Sequence, residues 1–340
     1  PVQVHGQERQ VAVSRALAPG SDAVAFDLAV PAERRADETR LTVRFSPSLA
    51  LAMVDALPYL ADYPYGCTEQ TLSRFLPAVV VAHTLRSLGL APEAVVEKLF
   101  GGIEPEHAAK TQRGGKRDLH RLDEMAQAGL DRLYDFQRPD GGWGWWKQAE
   151  SDHFMTAYVV WGLVLAQGAD LDVRPEVVER GAEFLRKEIV EEEDHPDLQA
   201  WMLHALAVHH AHARRGEVST FEATALANLW KGRDDLNAYT RALFALAAHH
   251  YGDAEKARSL VRNLENGVKR DDAPDDSVVL QGPRGSQPEV LGTAHWGEDG
   301  LWWRWSEGGV EASAFALRAL AAIEPGSRLV EPVANWLVKN

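Results

Sequence analysis

The sequence has little of what marks several common classes of protein. It contains one cysteine in 340 residues, so no disulfide can form within the chain, and that thiol is either a buried inert group or a reactive one. Its 36 basic residues are outnumbered by 50 acidic ones and are scattered, which argues against nucleic acid or anionic membrane as a partner. The longest apolar runs fall short of the roughly 18 to 20 residues that span a bilayer. These absences predict a soluble protein.

The amino-terminal part alternates polar and apolar residues, from Val24 to Val30 and again from Leu41 to Phe45. This pattern predicts a β segment over residues 1–46. So few short strands are marginal without a partner sheet, so we expect them to belong to a neighbouring domain. No charged and apolar leader pattern opens the sequence, and its first residue is a proline in mid-pattern, so we expect the chain to be a segment of a longer protein.

Beyond residue 46 the apolar period becomes helical, beginning with a helix that Ser48 would cap and Pro58 would end. An alanine followed by an aromatic residue then recurs in apolar helices at intervals near 40 residues or twice that. The pairs are Ala157-Tyr158, Ala200-Trp201, Ala238-Tyr239 and Ala314-Phe315. Helical hairpins repeated in this way bury their apolar faces only by stacking on one another. An open solenoid and a closed α/α toroid both satisfy the pattern.

The stretch from Glu265 to Gly300 interrupts the repeat with Asp, Pro and Gly. It predicts a long excursion from the helical body, with a small hairpin at Ser277–Leu280. Within it, Asp271-Asp272-Ala-Pro-Asp275 has the letters of a magnesium-diphosphate motif. That motif needs a helix to align its carboxylates, and the proline favours a solvated loop instead.

The cysteine stands in the segment that carries the chemistry. The segment is Tyr63-Pro64-Tyr65-Gly66-Cys67-Thr68-Glu69-Gln70-Thr71-Leu72-Ser73-Arg74-Phe75-Leu76-Pro77. It resembles the thioester region of the bacterial alpha-2-macroglobulin family, in the complement and alpha-2-macroglobulin superfamily, whose core is Cys-x-Glu-Gln after a glycine. The resemblance implies that Cys67 and Gln70 form an internal thioester with loss of ammonia.

The spacing of the two residues is physically reasonable, because side chains three apart on a helical turn are within reach of each other. Gly66 permits a sharp turn before the cysteine. A thioester must be kept from water, and Tyr63 and Tyr65 could supply part of that shield. The plainer interpretation is that Cys67 is a small buried hydrophobe.

The resemblance extends over most of the chain, from about residue 41 to 338. It includes Gln137 to Trp146, Ser151 to Val160 and Val310 to Leu317. It implies that the body, residues 47–340, is an α/α toroid truncated at its carboxyl end. It also implies that residues 1–46 belong to a flanking CUB-like β-sandwich. The fold class is therefore mainly α.

Two other motifs suggest different chemistry. Gln137-x-x-Asp140-Gly-Gly-Trp143-Gly also resembles the repeat of triterpene cyclases, but their Asp-x-Asp-Asp acid is missing, so we interpret it as a structural turn. Several histidines stand close together at helical spacing, as metal ligands do. They are His209, His210 and His212, with His249 and His250. Each group ends an apolar helix, where histidine suits the terminal carbonyls.

The resemblance leaves some site residues open. Some family members use a downstream histidine that forms an acyl-imidazole, and His153 and His195 are the candidates here, although neither stands in a segment we can match. Both are otherwise surface histidines. Trp302, Trp303 and Trp305 line the thioester pocket or pack the end of the toroid.

The function that the resemblance implies is protease inhibition by a single-use covalent trap, not catalysis. A protease cuts a bait segment elsewhere in the full protein, and the exposed thioester then acylates a lysine of the protease. Cys67, Gln70 and the environment residues Tyr63, Tyr65, Gly66, Glu69, Trp302 and Trp303 would form the site, with no cofactor and no metal. The partners would be target proteases and the parent protein's other domains, in the periplasm, at the cell envelope or outside the cell. An isoprenoid cyclase and a thioester-inactive binding scaffold are the alternatives.

Overall fold

A computed structural model describes residues 66–87, 120–214, 216–271, 292–297 and 308–339. Within these ranges the chain forms ten helices and one pair of strands, so it is mainly helical as predicted. The predicted β segment of residues 1–46, the helix from Ser48 and the hairpin at Ser277–Leu280 lie outside the described residues. No helix in the described ranges is long and apolar enough to cross a membrane.

The helices follow one another with short connections through most of the chain. In chain order they are α1 (Thr68–Ser87), α2 (His120–Phe136), α3 (His153–Gly168), α4 (Pro175–Glu188), α5 (Pro196–His212), α6 (Thr220–Lys231), α7 (Ala238–His250), α8 (Ala254–Asn266), α9 (Gly309–Ile323) and α10 (Val330–Lys339). The strands β1 (Lys269–Asp271) and β2 (Thr293–His295) pair antiparallel between α8 and α9.

The helices form two layers. The odd-numbered helices pack against one another in chain order from α1 to α9, and each also contacts the even-numbered helix that follows it. Sequence explains this division, because α5 and α7 are apolar on nearly every side, whereas α4 and α8 carry a single apolar stripe. A helix that is apolar all round must be covered on all sides, so it takes the inner layer.

The aromatic residues of the sequence repeat meet inside this inner layer. Trp201 of α5 lies 6.2 Å from Tyr158 of α3 and 5.6 Å from Phe315 of α9, measured between ring centroids. Tyr239 of α7 packs edge-on against Phe315 at 5.5 Å. Trp161 of α3 also reaches Phe315, at 6.1 Å. Helices α3, α5, α7 and α9 therefore meet at a shared aromatic centre, which we define as Tyr158, Trp161, Trp201, Tyr239 and Phe315.

The strand pair brackets the predicted excursion. Lys269 stands opposite His295 and Asp271 opposite Thr293, so the chain leaves the helical body and returns at adjacent positions. Asp271 lies on a strand, which does not align carboxylates as a helix does. The rest of the Asp-Asp motif, residues 272–275, lies outside the described residues.

Two histidines near the aromatic centre predict that acid destabilises the fold. His204 is fully buried, and burial, then Arg318, then His250 hold its pKa well below 6.5. Burial, His249 and Arg318 lower the pKa of His250 to about 4. In the unfolded chain both imidazoles bind a proton near pH 6.5, while the folded chain leaves them neutral. As the pH falls below 6.5 the unfolded state therefore takes up protons that the folded state does not, and unfolding is favoured.

We expect the free energy of unfolding to decrease from pH 6.5 to pH 5, with His204 contributing up to about 1.4 kcal/mol per pH unit. Urea denaturation at several pH values measures the slope. The variant His204→Phe should show a shallower slope than the wild type, because it carries no proton in either state. Equal slopes in the two proteins would contradict the prediction.

Candidate functional site

Cys67 and Gln70 stand together at the start of α1. The backbone N–H of Gln70 donates to Cys67 Sγ over 3.4 Å, and the backbone N–H of Cys67 donates to Gln70 Oε1 over 3.2 Å. This reciprocal pattern is that of a capping box, with the cysteine in the place of the capping serine and the glutamine three residues on. Cys67 is buried. The cap therefore holds the sulfur and the carboxamide side by side. The sequence spacing predicted only that the two side chains could reach each other.

Gly66 makes room for the carboxamide. A Cβ at this position would lie 2.3 Å from Gln70 Oε1 and 3.6 Å from Trp146 Cζ3. From α2, Arg132 Nη2 donates to the Gly66 carbonyl over 3.1 Å. The glycine is therefore needed for the close approach of these side chains.

A second segment is bonded to the start of α1. The Thr68 N–H donates to the carbonyl of Trp145 over 2.9 Å, and Thr68 Oγ1 donates to the carbonyl of Gly144 over 2.5 Å. Trp145 and Trp146 are the exposed tip of this segment, with Trp146 59% exposed and beside Gly66. In the sequence these tryptophans stood out only as part of the family resemblance. Their contact with the Cys67 turn depends on tertiary structure.

The base of that segment confirms the structural-turn interpretation. Asp140 accepts from the Gly142 N–H at 3.0 Å and from Ser151 Oγ, and Gly141 has a φ of +97°. Trp143 is fully buried, and its indole N–H donates to the Leu133 carbonyl over 2.7 Å. The turn therefore places Trp143 between hairpins and presents the two following tryptophans at the surface.

The same arrangement occurs a second time, around Trp296, which sequence analysis missed. The Trp296 indole donates to the Leu264 carbonyl over 2.9 Å, and its backbone N–H donates to Ser313 Oγ over 3.0 Å. Trp143 uses Thr156 Oγ1 in the same way, at 2.9 Å. A signal was present in the sequence, because each tryptophan precedes a glycine and each hydroxyl residue stands two positions before an aromatic of the repeat.

Glu69 does not take part in the bonds between Cys67 and Gln70. It accepts a hydrogen bond from Ser73 Oγ one turn along α1. Ser73 in turn interacts with Tyr158 of the aromatic centre. Burial raises the pKa of Tyr158 to about 12. The first turns of α1 are thus joined to α3, the next helix of the inner layer.

The two candidate histidines share one carboxylate. His153 Nδ1 lies 2.5 Å from one oxygen of Glu192, and His195 Nδ1 lies 2.9 Å from the other. Glu188 lies 3.7 Å from His153 Nε2. The side chain of His195 is 72% exposed and that of His153 is 24% exposed, so only His195 is fully a surface histidine. Among the described residues, no hydrogen bond or ion pair joins either histidine to Cys67 or Gln70.

Some of the remaining candidate residues lie outside the described part of the chain, and others lie within it. Tyr63, Tyr65, Trp302, Trp303 and Trp305 lie outside the described residues. Two of the helix-end histidines contact side chains: His209 Nε2 lies 3.5 Å from Glu179, and the ring centroid of His210 lies 5.1 Å from that of Tyr251. In the described part of the chain, no three His, Cys, Asp or Glu residues are grouped so that they could hold a metal ion.

Comparison with known proteins shows what the chain is similar to. The model of the A-macroglobulin TED domain matches residues 45–192. Alpha-2-macroglobulin of Thermotoga maritima is 41% identical over 145 residues, which are 43% of this chain and 7% of that protein. Alpha-2-macroglobulin of Escherichia coli is 29% identical over 150 residues, 44% of this chain and 8% of that protein. The chain thus spans less than a tenth of the length of these relatives.

A solved structure shares the fold over a longer stretch. Salmonella alpha-2-macroglobulin reacted with methylamine aligns with a TM-score of 0.53 and 18% identity, covering 87% of this chain and 16% of that one. Identity at that level shows the fold alone. The match to the A-macroglobulin TED domain includes Cys67 and Gln70, and over residues 45–192 the chain is a homologue of bacterial alpha-2-macroglobulins.

Proposed function

We propose that Cys67 and Gln70 form an internal thioester, and that the protein containing this chain is a protease inhibitor that traps its target covalently. The observation that carries the proposal is the reciprocal cap, in which each residue's backbone N–H bonds to the other's side chain. The relatives support it, because they are alpha-2-macroglobulins. A solved structure with the same fold is Escherichia coli alpha-2-macroglobulin activated by porcine elastase.

Thioester formation would proceed within the cap. Cys67 Sγ attacks the Gln70 Cδ, the C–N bond of the carboxamide breaks, and ammonia leaves with the thiol proton. The Cys67 N–H already bonded to Gln70 Oε1 would stabilise negative charge that develops on this oxygen. Peptide N–H groups at the first turn of α1 favour negative charge at the sulfur.

The trapping step uses the same atoms. An amine of the target attacks Gln70 Cδ, the bond to Sγ breaks, and the thiolate of Cys67 leaves with the amine proton following it. The product is an amide between Gln70 and a lysine of the protease. Each molecule reacts once, so the protein would be an inhibitor and not an enzyme. Trp146, beside Gly66, would help to exclude water until activation.

The architecture that we propose for the whole domain is a closed α/α toroid over residues 47–340. It is supported by the contacts across the aromatic centre, where Trp161 of α3 meets Phe315 of α9. An open solenoid would separate those helices. Residues 1–46 would belong to a flanking CUB-like β-sandwich, and the full protein would act in the periplasm, at the cell envelope or outside the cell.

The mass of the intact chain tests the thioester directly. Freshly purified protein should be lighter than its sequence mass by about 17 Da, the mass of ammonia, and methylamine should convert this species into a methylamide with a free thiol. Cys67→Ala should show the full sequence mass and no incorporation. A wild-type chain of full sequence mass, with a thiol that titrates from the start and an unchanged Gln70, would favour a thioester-inactive scaffold.

The position of the histidines predicts that the thioester prefers amines. A hydroxyl needs a histidine that first takes the acyl group, and both candidates are held by Glu192. Methylamine should therefore label Gln70 far faster than glycerol does, by mass spectrometry of the peptide. His153→Ala and His195→Ala should leave both rates unchanged. Glycerol labelling that matches methylamine in the wild type and is lost in one variant would show that this histidine transfers the acyl group.

A further inference from the structure

Three side chains in or beside the aromatic centre have buried polar nitrogen atoms that lack a hydrogen-bond partner among the described residues. They are the indole Nε1 of Trp161, the indole Nε1 of Trp201, and both ring nitrogens of His204. Trp201 and His204 are themselves almost completely buried, at 2% and 0% exposed. Buried donors are nearly always satisfied in native proteins, so a group of them in one place calls for an acceptor.

These unpartnered nitrogens belong to one cluster. The ring centroids of Trp161 and Trp201 lie 5.6 Å apart, and that of His204 lies 5.9 Å from Trp201 and 6.5 Å from Trp161. The ring of His250 lies 6.2 Å from His204. The two indoles come from α3 and α5, so the inner layer itself brings the donors together.

A positive charge lies against the same rings. The Arg318 guanidinium of α9 is 5.2 Å from the Trp161 ring centroid and 5.7 Å from that of Phe315. Burial lowers the pKa of Arg318, and no carboxylate of the described residues forms an ion pair with it. Arg318 is partly buried, and a cation withdrawn from water ordinarily has a counter-charge. Here its neighbours are ring faces, indole donors and an imidazole.

We propose that Trp161, Trp201, His204 and Arg318 form a binding site for a small oxyanion within the inner layer of helices. The guanidinium supplies the charge, and the two indole N–H groups, which only donate, supply hydrogen bonds that an anion accepts. His204 can donate from either ring nitrogen. A cation is disfavoured by Arg318, and an apolar ligand would leave the donors unsatisfied. None of these four residues belongs to the Cys67 turn, and the proposal does not depend on the thioester.

Calorimetric titration of the 340-residue chain tests the proposal. The protein is placed in Tris chloride buffer, and sodium phosphate, sodium sulfate and sodium acetate are added in separate experiments against sodium chloride at equal ionic strength. We expect saturable binding of one anion per chain for at least one oxyanion, and the acetate arm separates a carboxylate ligand from a tetrahedral one. Absence of saturable binding in all three arms would overturn the proposal.

Variants then locate the anion. Arg318→Gln should weaken binding roughly tenfold or more, because it removes the charge. Trp161→Phe keeps an aromatic ring at this position, removes one donor and should weaken binding less. The matched control is Arg233→Gln, because Arg233 also lies over a tryptophan ring, at 4.6 Å from Trp230, but donates to a carbonyl there. Equal affinity in Arg318→Gln and the wild type would refute the assignment.

A crystal grown with selenate gives a readout that needs no variant. An anomalous peak within hydrogen-bond distance of the Trp161 and Trp201 indoles would support the site. Ordered water alone at that position would overturn it, because water would then satisfy the donors.

Discussion

Replacing Gly66 by alanine is expected to prevent thioester formation almost as completely as Cys67→Ala, while the domain stays folded. The added Cβ would lie 2.3 Å from Gln70 Oε1, far inside van der Waals contact. The atom that it meets is the end of a flexible side chain, so the carboxamide would turn away and lose its bond to the Cys67 N–H. Intact mass should show the full sequence mass, and methylamine should not be incorporated.

Gly168→Ala is the matched control, since a Cβ at Gly168 meets no atom within 4 Å. That variant should show the same loss of about 17 Da and the same methylamine labelling as the wild type. Circular dichroism should give the same helical spectrum for both variants. A Gly66→Ala chain that forms the thioester to wild-type extent would show that the position of the carboxamide in the cap is not what brings the two groups together.

The substitution with the largest expected effect on stability is Trp143→Ala. The side chain is fully buried, its indole N–H bonds to the Leu133 carbonyl, and a Cβ at Gly181 would come within 2.6 Å of its ring. No neighbour can fill a space of that size, so we expect a loss of about 3 to 5 kcal/mol in the free energy of unfolding. Urea denaturation followed by circular dichroism at 222 nm measures it.

Trp146→Ala is the natural comparison, because Trp146 belongs to the same turn but is 59% exposed. Its stability should lie within about 0.5 kcal/mol of the wild type, whereas its thioester should react faster with methylamine and water. The two variants would then show that Trp143 supports the structure of the site, whereas Trp146 shields the thioester from solvent. A Trp143→Ala chain as stable as the wild type would mean that the turn does not depend on this packing.

The buried turn around Trp143 also supports the start of α1, where Cys67 stands. Thr68 bonds to the carbonyls of Gly144 and Trp145, so the segment after Trp143 and the start of α1 form one hydrogen-bonded unit. Any change that loosens Trp143 should also loosen the cap at Cys67. We therefore expect stability and thioester occupancy to fall together in Trp143→Ala, and to separate in Gly66→Ala.

Local sequence was sufficient for several properties of this protein. The segment around Cys67 and Gln70 indicated the motif by its resemblance to the family's thioester region, and the spacing of three residues on a helical turn put the two side chains within reach of each other. The Ala-aromatic repeat predicted helical hairpins, and the structure confirms helices at all four pairs. Asp140 and Gly141 predicted a turn because the preference of these residue types for turns does not depend on their neighbours in space.

Tertiary structure decided what lies next to what. Nothing in the sequence says that Trp146 comes beside Gly66, that Glu192 holds both His153 and His195, or that four helices bring the repeat's aromatics together. The unpartnered nitrogens of Trp161, Trp201 and His204 were equally hidden, since each stands in an apolar helix as an ordinary core residue. The physical reason is that sequence periodicity shows which face of a helix is buried, whereas the partner of that face is chosen by packing of helices far apart in the chain.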